Sequence, residues 1–200
     1  MIARFIWRVV VFFILAIVIS VPSLAQGPTK AIRDVTDKII AIVSDPALKA
    51  PEKEPEKKSR IRKYVYESFD EKRMFRSALG RHWAKRTDEE KKEFSRLFKE
   101  LLEDTYLDKV EGYSGEKVIY EGEKVDGDYG IVKVNIITKN QKKISVIYRL
   151  RKKKDKWSIY DISIEGVSMI NNYRTQFNSI IIRSSYKNLI EKLKAKVETN

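Results

Sequence analysis

The chain has 200 residues, 42% of them hydrophobic and 10% aromatic, with 41 Lys and Arg against 28 Asp and Glu for a formal net charge of +13. That size and apolar content suit one folded domain and exclude a disordered polyelectrolyte, while the absence of cysteine excludes disulfides, thiol nucleophiles and thiolate metal sites. The positive excess draws such a protein toward polyanions.

Residues 1–25 read as a secretory signal peptide. Arg4 and Arg8 form its charged start, Val9 to Val21 its apolar run, and Ser23 and Ala25 lie three and one before a cut ahead of Gln26. The run is short for a membrane span, which needs about 20 apolar residues, and Pro22 interrupts it. Cleavage near Ala25 and export are therefore expected. The two arginines carry two of the charges, leaving +11 for 26–200. Outside the cytoplasm the polyanions on offer are anionic lipid headgroups, lipopolysaccharide and acidic proteins, and no nucleic acid is expected as a partner.

Ala31, Ile32, Val35, Ile39, Ile42 and Val43 recur at helical spacing and predict an amphipathic helix from about Pro28 to Ser44. Residues 46–60 hold three prolines among many charges, the signature of an exposed connection. Two capping boxes follow, Ser68 with Glu71 and Thr87 with Glu90. The first predicts a short helix ending near Gly80, with Phe69, Met74, Phe75 and Leu79 as apolar members. The second predicts a long helix striped by Phe94, Leu97, Phe98, Leu101, Leu102 and Tyr106, with Gly112 and Gly115 at its exit.

From Lys117 the period changes to two. Val118 and Tyr120 open one strand. Val132, Val134 and Ile136 share a face of the next, with Ile131, Lys133, Asn135 and Ile137 opposite. Ile144, Val146, Tyr148 and Leu150 share a face of the third, and in the fourth Trp157 and Ile159 alternate with Tyr160, Ile162 and Ile164. Short turns at Asp126-Gly127, Asn140-Gln141 and the basic 152–156 favour an antiparallel meander. After Gly166 helical spacing resumes through Val167, Ile170, Tyr173, Phe177 and Ile181, and again through Tyr186, Leu189, Ile190, Leu193 and Val197. This order predicts an α+β fold, a curved antiparallel sheet of about four strands packed with N-terminal and C-terminal helices.

Few residues offer chemistry. His82 is the one histidine and reads as a packing or surface residue. Gly127 and Gly130 read as hairpin-turn glycines at positive φ, and no acidic cluster suggests a metal site. Asp161 stands mid-strand, where Asp is disfavoured; one reading makes it the general base of a small exported enzyme with a cone-shaped α+β pocket, the other a salt-bridged structural residue. The apolar positions fit an ordinary core or a pocket between sheet and helices equally well.

The run Trp157-Ser158-Ile159-Tyr160-Asp161-Ile162-Ser163-Ile164-Glu165-Gly166-Val167-Ser168, followed by Asn172-Tyr173-Arg174-Thr175-Gln176-Phe177, closely resembles the MlaC or toluene-tolerance family of periplasmic phospholipid-binding proteins. Phe69 to Trp83, the Thr87 to Tyr106 helix and Tyr113-Ser114-Gly115 agree with it in order. The resemblance implies a single lipid-binding domain over 26–200 with an NTF2-like sheet around an apolar cavity, and no enzyme. It implies a monomeric periplasmic carrier without a cofactor, whose cargo is a glycerophospholipid. The implied partners are an inner-membrane MCE-domain protein of an ABC transporter and an outer-membrane lipoprotein-porin complex. The lipid-contacting residues implied are Val132, Val134, Ile136, Val146, Tyr148, Ile162 and Ile164 from the sheet, and Phe94, Phe98, Leu101, Tyr106, Met169, Tyr173 and Phe177 from helices. Which sheet face looks inward stays open, because a one-residue slip exchanges every strand residue. Arg174 is either a phosphate neighbour or the partner in a structural salt bridge.

Overall fold

The computed structural model describes residues 27–111, 113 and 115–198, so the segment read as a signal peptide lies outside the described residues. Helix α1 (Pro28–Ser44) has the expected bounds. Its first turn is satisfied from the sheet, the Thr29 N–H donating to the Glu123 carboxylate at 2.8 Å.

Residues 46–60 are mostly exposed, as expected, but they are folded into helical turns and not an open connection. Pro46–Leu48 and Pro51–Lys53 form single 3-10 turns, and α2 runs over Glu54–Ser68. The prolines sit in first turns, where a missing N–H costs nothing. The charges pair along the helix, with Glu54 to Lys57 at 2.6 Å and Glu56 to Arg60 at 2.5 Å. Leu48 and Ile61 are buried and pack with Ile42, tying this stretch to α1.

Ser68 does not cap the next helix. It ends α2, its hydroxyl donating to the Tyr64 carbonyl, and Asp70 caps α3 (Glu71–Leu79) by accepting the Arg73 N–H. The chain is forced straight between them, because Phe69 bridges to Ile159 and the Asp70 N–H donates to the Ile159 carbonyl. A 3-10 stretch over Gly80–Lys85 leads to α4 (Asp88–Glu111), started by the reciprocal Thr87–Glu90 box.

The sheet is β1 (Lys117–Asp126), β2 (Tyr129–Ile137), β3 (Lys143–Lys153), β4 (Lys156–Ile164) and a short β5 (Val167–Ser168), paired antiparallel in chain order. Simple alternation fails in β4. Arg149 pairs with Asp161 but Leu150 with Ile159, leaving Tyr160 as the extra residue of a bulge. Trp157, Ile159, Ile162 and Ile164 therefore share one face instead of dividing between two. Glu165 and Gly166, both at positive φ, turn β4 into β5, so Val167 belongs to the sheet and α5 (Met169–Arg183) starts only after its Ser168 cap. Helix α6 (Tyr186–Glu198) follows.

Two main cores result. One is helical, made by α3, α4, α5 and α6 around Phe75, Phe94, Phe98, Ile170, Phe177 and Leu189. The other joins α1 to the inner sheet face through Ile32, Val132, Val134, Val146, Leu150, Trp157 and Ile159.

Candidate functional site

Gly130 determines where α1 rests on the sheet. Its φ is not positive; a side chain there would meet Pro28 at 3.0 Å and Trp157 at 3.1 Å, so the glycine exists for close approach and not for a turn. With the start of α1 seated at this end, the inner face toward the end of β4 stays uncovered.

The uncovered surface is one wall of a cavity of about 680 Å³, in the size range of ligand pockets. Its walls are Ile136, Val146, Tyr148, Ile159, Ile162 and Ile164 from the sheet, Ile32, Val35 and Ile39 from α1, and Val65, Tyr66 and Phe69 from α2 and its end. Met74 and Phe75 come from α3, Leu102, Tyr106 and Leu107 from α4, and Val167, Met169 and Asn172 from the β5–α5 segment. Ile164 and Val167, 44% and 62% exposed, form an apolar rim where the cavity meets solvent.

Of the residues named from the resemblance, Tyr106, Ile136, Val146, Tyr148, Ile162, Ile164 and Met169 line this space. Val132 and Val134 face the same way but lie fully buried in the core with Ile32 of α1. Phe94, Phe98, Leu101, Tyr173 and Phe177 belong to the helical core; the Phe98 ring lies 5.0 Å from Tyr173 and 5.2 Å from Phe177, edge to face. The reason is that α4 carries two adjacent stripes. Positions 94, 97, 98 and 101 face its helical neighbours, and positions 99, 102, 103, 106 and 107 face the cavity. The contribution of α1 is visible in its own apolar spacing, whereas that of α2 is hidden by its polar first half.

The wall also holds groups that bond without charge. Burial pushes the Tyr148 hydroxyl up to about 12. Tyr106 is pushed to about 12 as well, first by burial and then by the neighbouring Tyr173 hydroxyl. Charged groups occur where α2, α3 and α4 meet. Arg62 lies 3.0 Å from Glu103 and Lys99 lies 3.0 Å from Glu71, and burial raises the Glu103 carboxyl although Arg62 opposes it.

Asp161 is not in this cavity. It projects from the opposite sheet face, where it accepts the Ser168 hydroxyl at 2.7 Å, the Ile170 N–H at 3.1 Å and Arg149 at 3.4 Å. A carboxylate so engaged ties β4 to the start of α5 and is not poised as a base. His82 bonds Asn178 through Nε2 at 3.0 Å. Arg174 donates to Asn171 at 2.6 Å and packs over Gly80, away from the cavity. Together these features leave a largely apolar cavity with a charged edge and no reactive group aimed into it among the described residues.

The model of the MlaC protein family matches residues 33–195. A Haemophilus influenzae protein described as the intermembrane phospholipid transport system binding protein MlaC is 30% identical over 120 residues, 58% of this chain and 56% of that protein. The matched region thus spans about half the length of that relative. A phospholipid-binding protein from Ralstonia solanacearum, solved in complex with a phospholipid, superposes with a TM-score of 0.76 at 24% identity. The superposition covers 87% of this chain and 98% of that one, and shows that the two share a fold.

Proposed function

The chain belongs to the MlaC protein family, and on that premise we propose that it is a periplasmic phospholipid carrier, holding acyl chains in the cavity and moving lipid between the inner and outer membranes. The observation that supports this most is the apolar space of about 680 Å³ between sheet and helices. Removing a two-chain lipid of about 30 methylenes from a bilayer into water costs on the order of 20 kcal/mol, at about 0.8 kcal/mol for each buried CH₂. A cavity as apolar as the bilayer cancels most of that cost, so exchange is nearly balanced and direction comes from partners. Those partners are an inner-membrane MCE-domain protein of an ABC transporter and an outer-membrane lipoprotein-porin complex. The cargo is a glycerophospholipid, the cycle needs no cofactor, and toluene tolerance is a trait such a system supports.

The related solved protein was crystallised with a phospholipid, which agrees with this reading. Among the described residues no helix is long and apolar enough to cross a membrane. Native mass spectrometry of protein purified without detergent tests the proposal. Adducts with phospholipid masses are expected, and protein that stays lipid-free after incubation with vesicles refutes it.

A further inference from the structure

Four of the residues lining the cavity carry charge, and they lie together: Arg62 on α2, Glu71 at the start of α3, and Lys99 and Glu103 one turn apart on α4. The sheet and α1 contribute no charge to the lining. The four make two ion pairs, Arg62 with Glu103 and Lys99 with Glu71, and the Lys99 ammonium also stands 3.3 Å from the centre of the Tyr66 ring. Their side chains keep between 21% and 42% exposure, so they form a lip where an apolar wall gives way to water.

We propose that this quartet is a headgroup subsite, built to favour zwitterionic over net-anionic phospholipids, with phosphate held by Arg62 and Lys99 and an ammonium by Glu71 and Glu103. It rests on the carrier reading above and deepens it. Part-exposed ion pairs exchange partners at little cost, and a guanidinium and an ammonium are the donors that suit phosphate oxygens. Each cation of the lip is already matched by a carboxylate. A phosphate that displaces that carboxylate leaves it unpaired beside a second negative charge, which is unfavourable at a partly desolvated site. A zwitterionic headgroup brings its own cation to the freed carboxylate, whereas a net-anionic one brings none, and this difference is the source of selectivity. The general positive charge of the protein acts oppositely, drawing it to anionic surfaces at long range, so the lip must be tested separately from vesicle attraction.

The full chain is incubated with vesicles of equal phosphatidylethanolamine and phosphatidylglycerol bearing the same acyl chains, reisolated, and its bound lipid quantified by headgroup. The bound pool is expected to favour phosphatidylethanolamine by about fivefold, a preference of the size part-exposed charge contacts provide. Glu71→Gln with Glu103→Gln should move the ratio toward phosphatidylglycerol; Glu103→Gln alone should move it less and serves if the pair impairs folding. Lys187→Gln, on exposed α6, alters net charge without touching the lip and should leave the ratio unmoved. A bound ratio equal to that of the vesicles, or one that the carboxylate variants do not shift, overturns the subsite while the carrier reading stands. Absence of both lipids from the unaltered chain overturns both.

Discussion

Asp161 illustrates how a residue that looks catalytic in a strand can be structural. Its carboxylate gathers Arg149, the Ser168 hydroxyl and the Ile170 N–H, and replacing it leaves the buried Ile170 N–H without an acceptor and the half-buried Arg149 without its counter-charge. Asp161→Ala should destabilise the fold by about 3 kcal/mol in urea titration while the lipid recovered per folded molecule stays constant. The cavity tyrosines give a pH signature. Tyr106 and Tyr148 have hydroxyls raised from 10.0 to about 12. A folded value above the unfolded one means that their contribution is fully present below about pH 10 and is lost as the pH climbs to about 12, because the unfolded chain gives up its protons first. Thermal melts between those limits should fall with pH, and Tyr148→Phe should flatten the fall.

Among the elements, α1 and α4 are legible because apolar spacing and the Thr87–Glu90 box coincide there with the true boundaries. Three others are obscured for local reasons. Prolines that look like breakers start α2, the Phe69 bridge to Ile159 moves the α3 cap from Ser68 to Asp70, and the bulged Tyr160 shifts the β4 pattern by one residue. The last matters most to the site, since the bulge is what brings Ile162 and Ile164 to the cavity face beside Ile159. The lining itself is half legible. Period two finds Ile136, Val146 and Tyr148, but on α4 the apolar members of the cavity-facing stripe, Leu102, Tyr106 and Leu107, adjoin the apolar stripe that faces the helical core, so spacing alone cannot separate Tyr106 from Phe94 or Phe98. Helix α2 depends on Ile61, which is 0% exposed between Ile42 and Leu48. Ile61→Ala should cost about 2–5 kcal/mol and make the 46–60 stretch the first site of limited proteolysis.

At the scale of the molecule, the helical core and the core between α1 and the sheet flank the cavity, and members of both form its walls. Filling it should therefore abolish carriage without unfolding either body. Ile162→Trp, at a wall position only partly buried, should lower lipid adducts in native mass spectra at least tenfold, which corresponds to about 1.4 kcal/mol of binding, with circular dichroism unchanged. On the carrier proposal, lipid in the cavity would touch both bodies at once and act as shared mortar. A loaded molecule should therefore melt in one cooperative step, and an emptied one in two, as each core gives way at its own temperature.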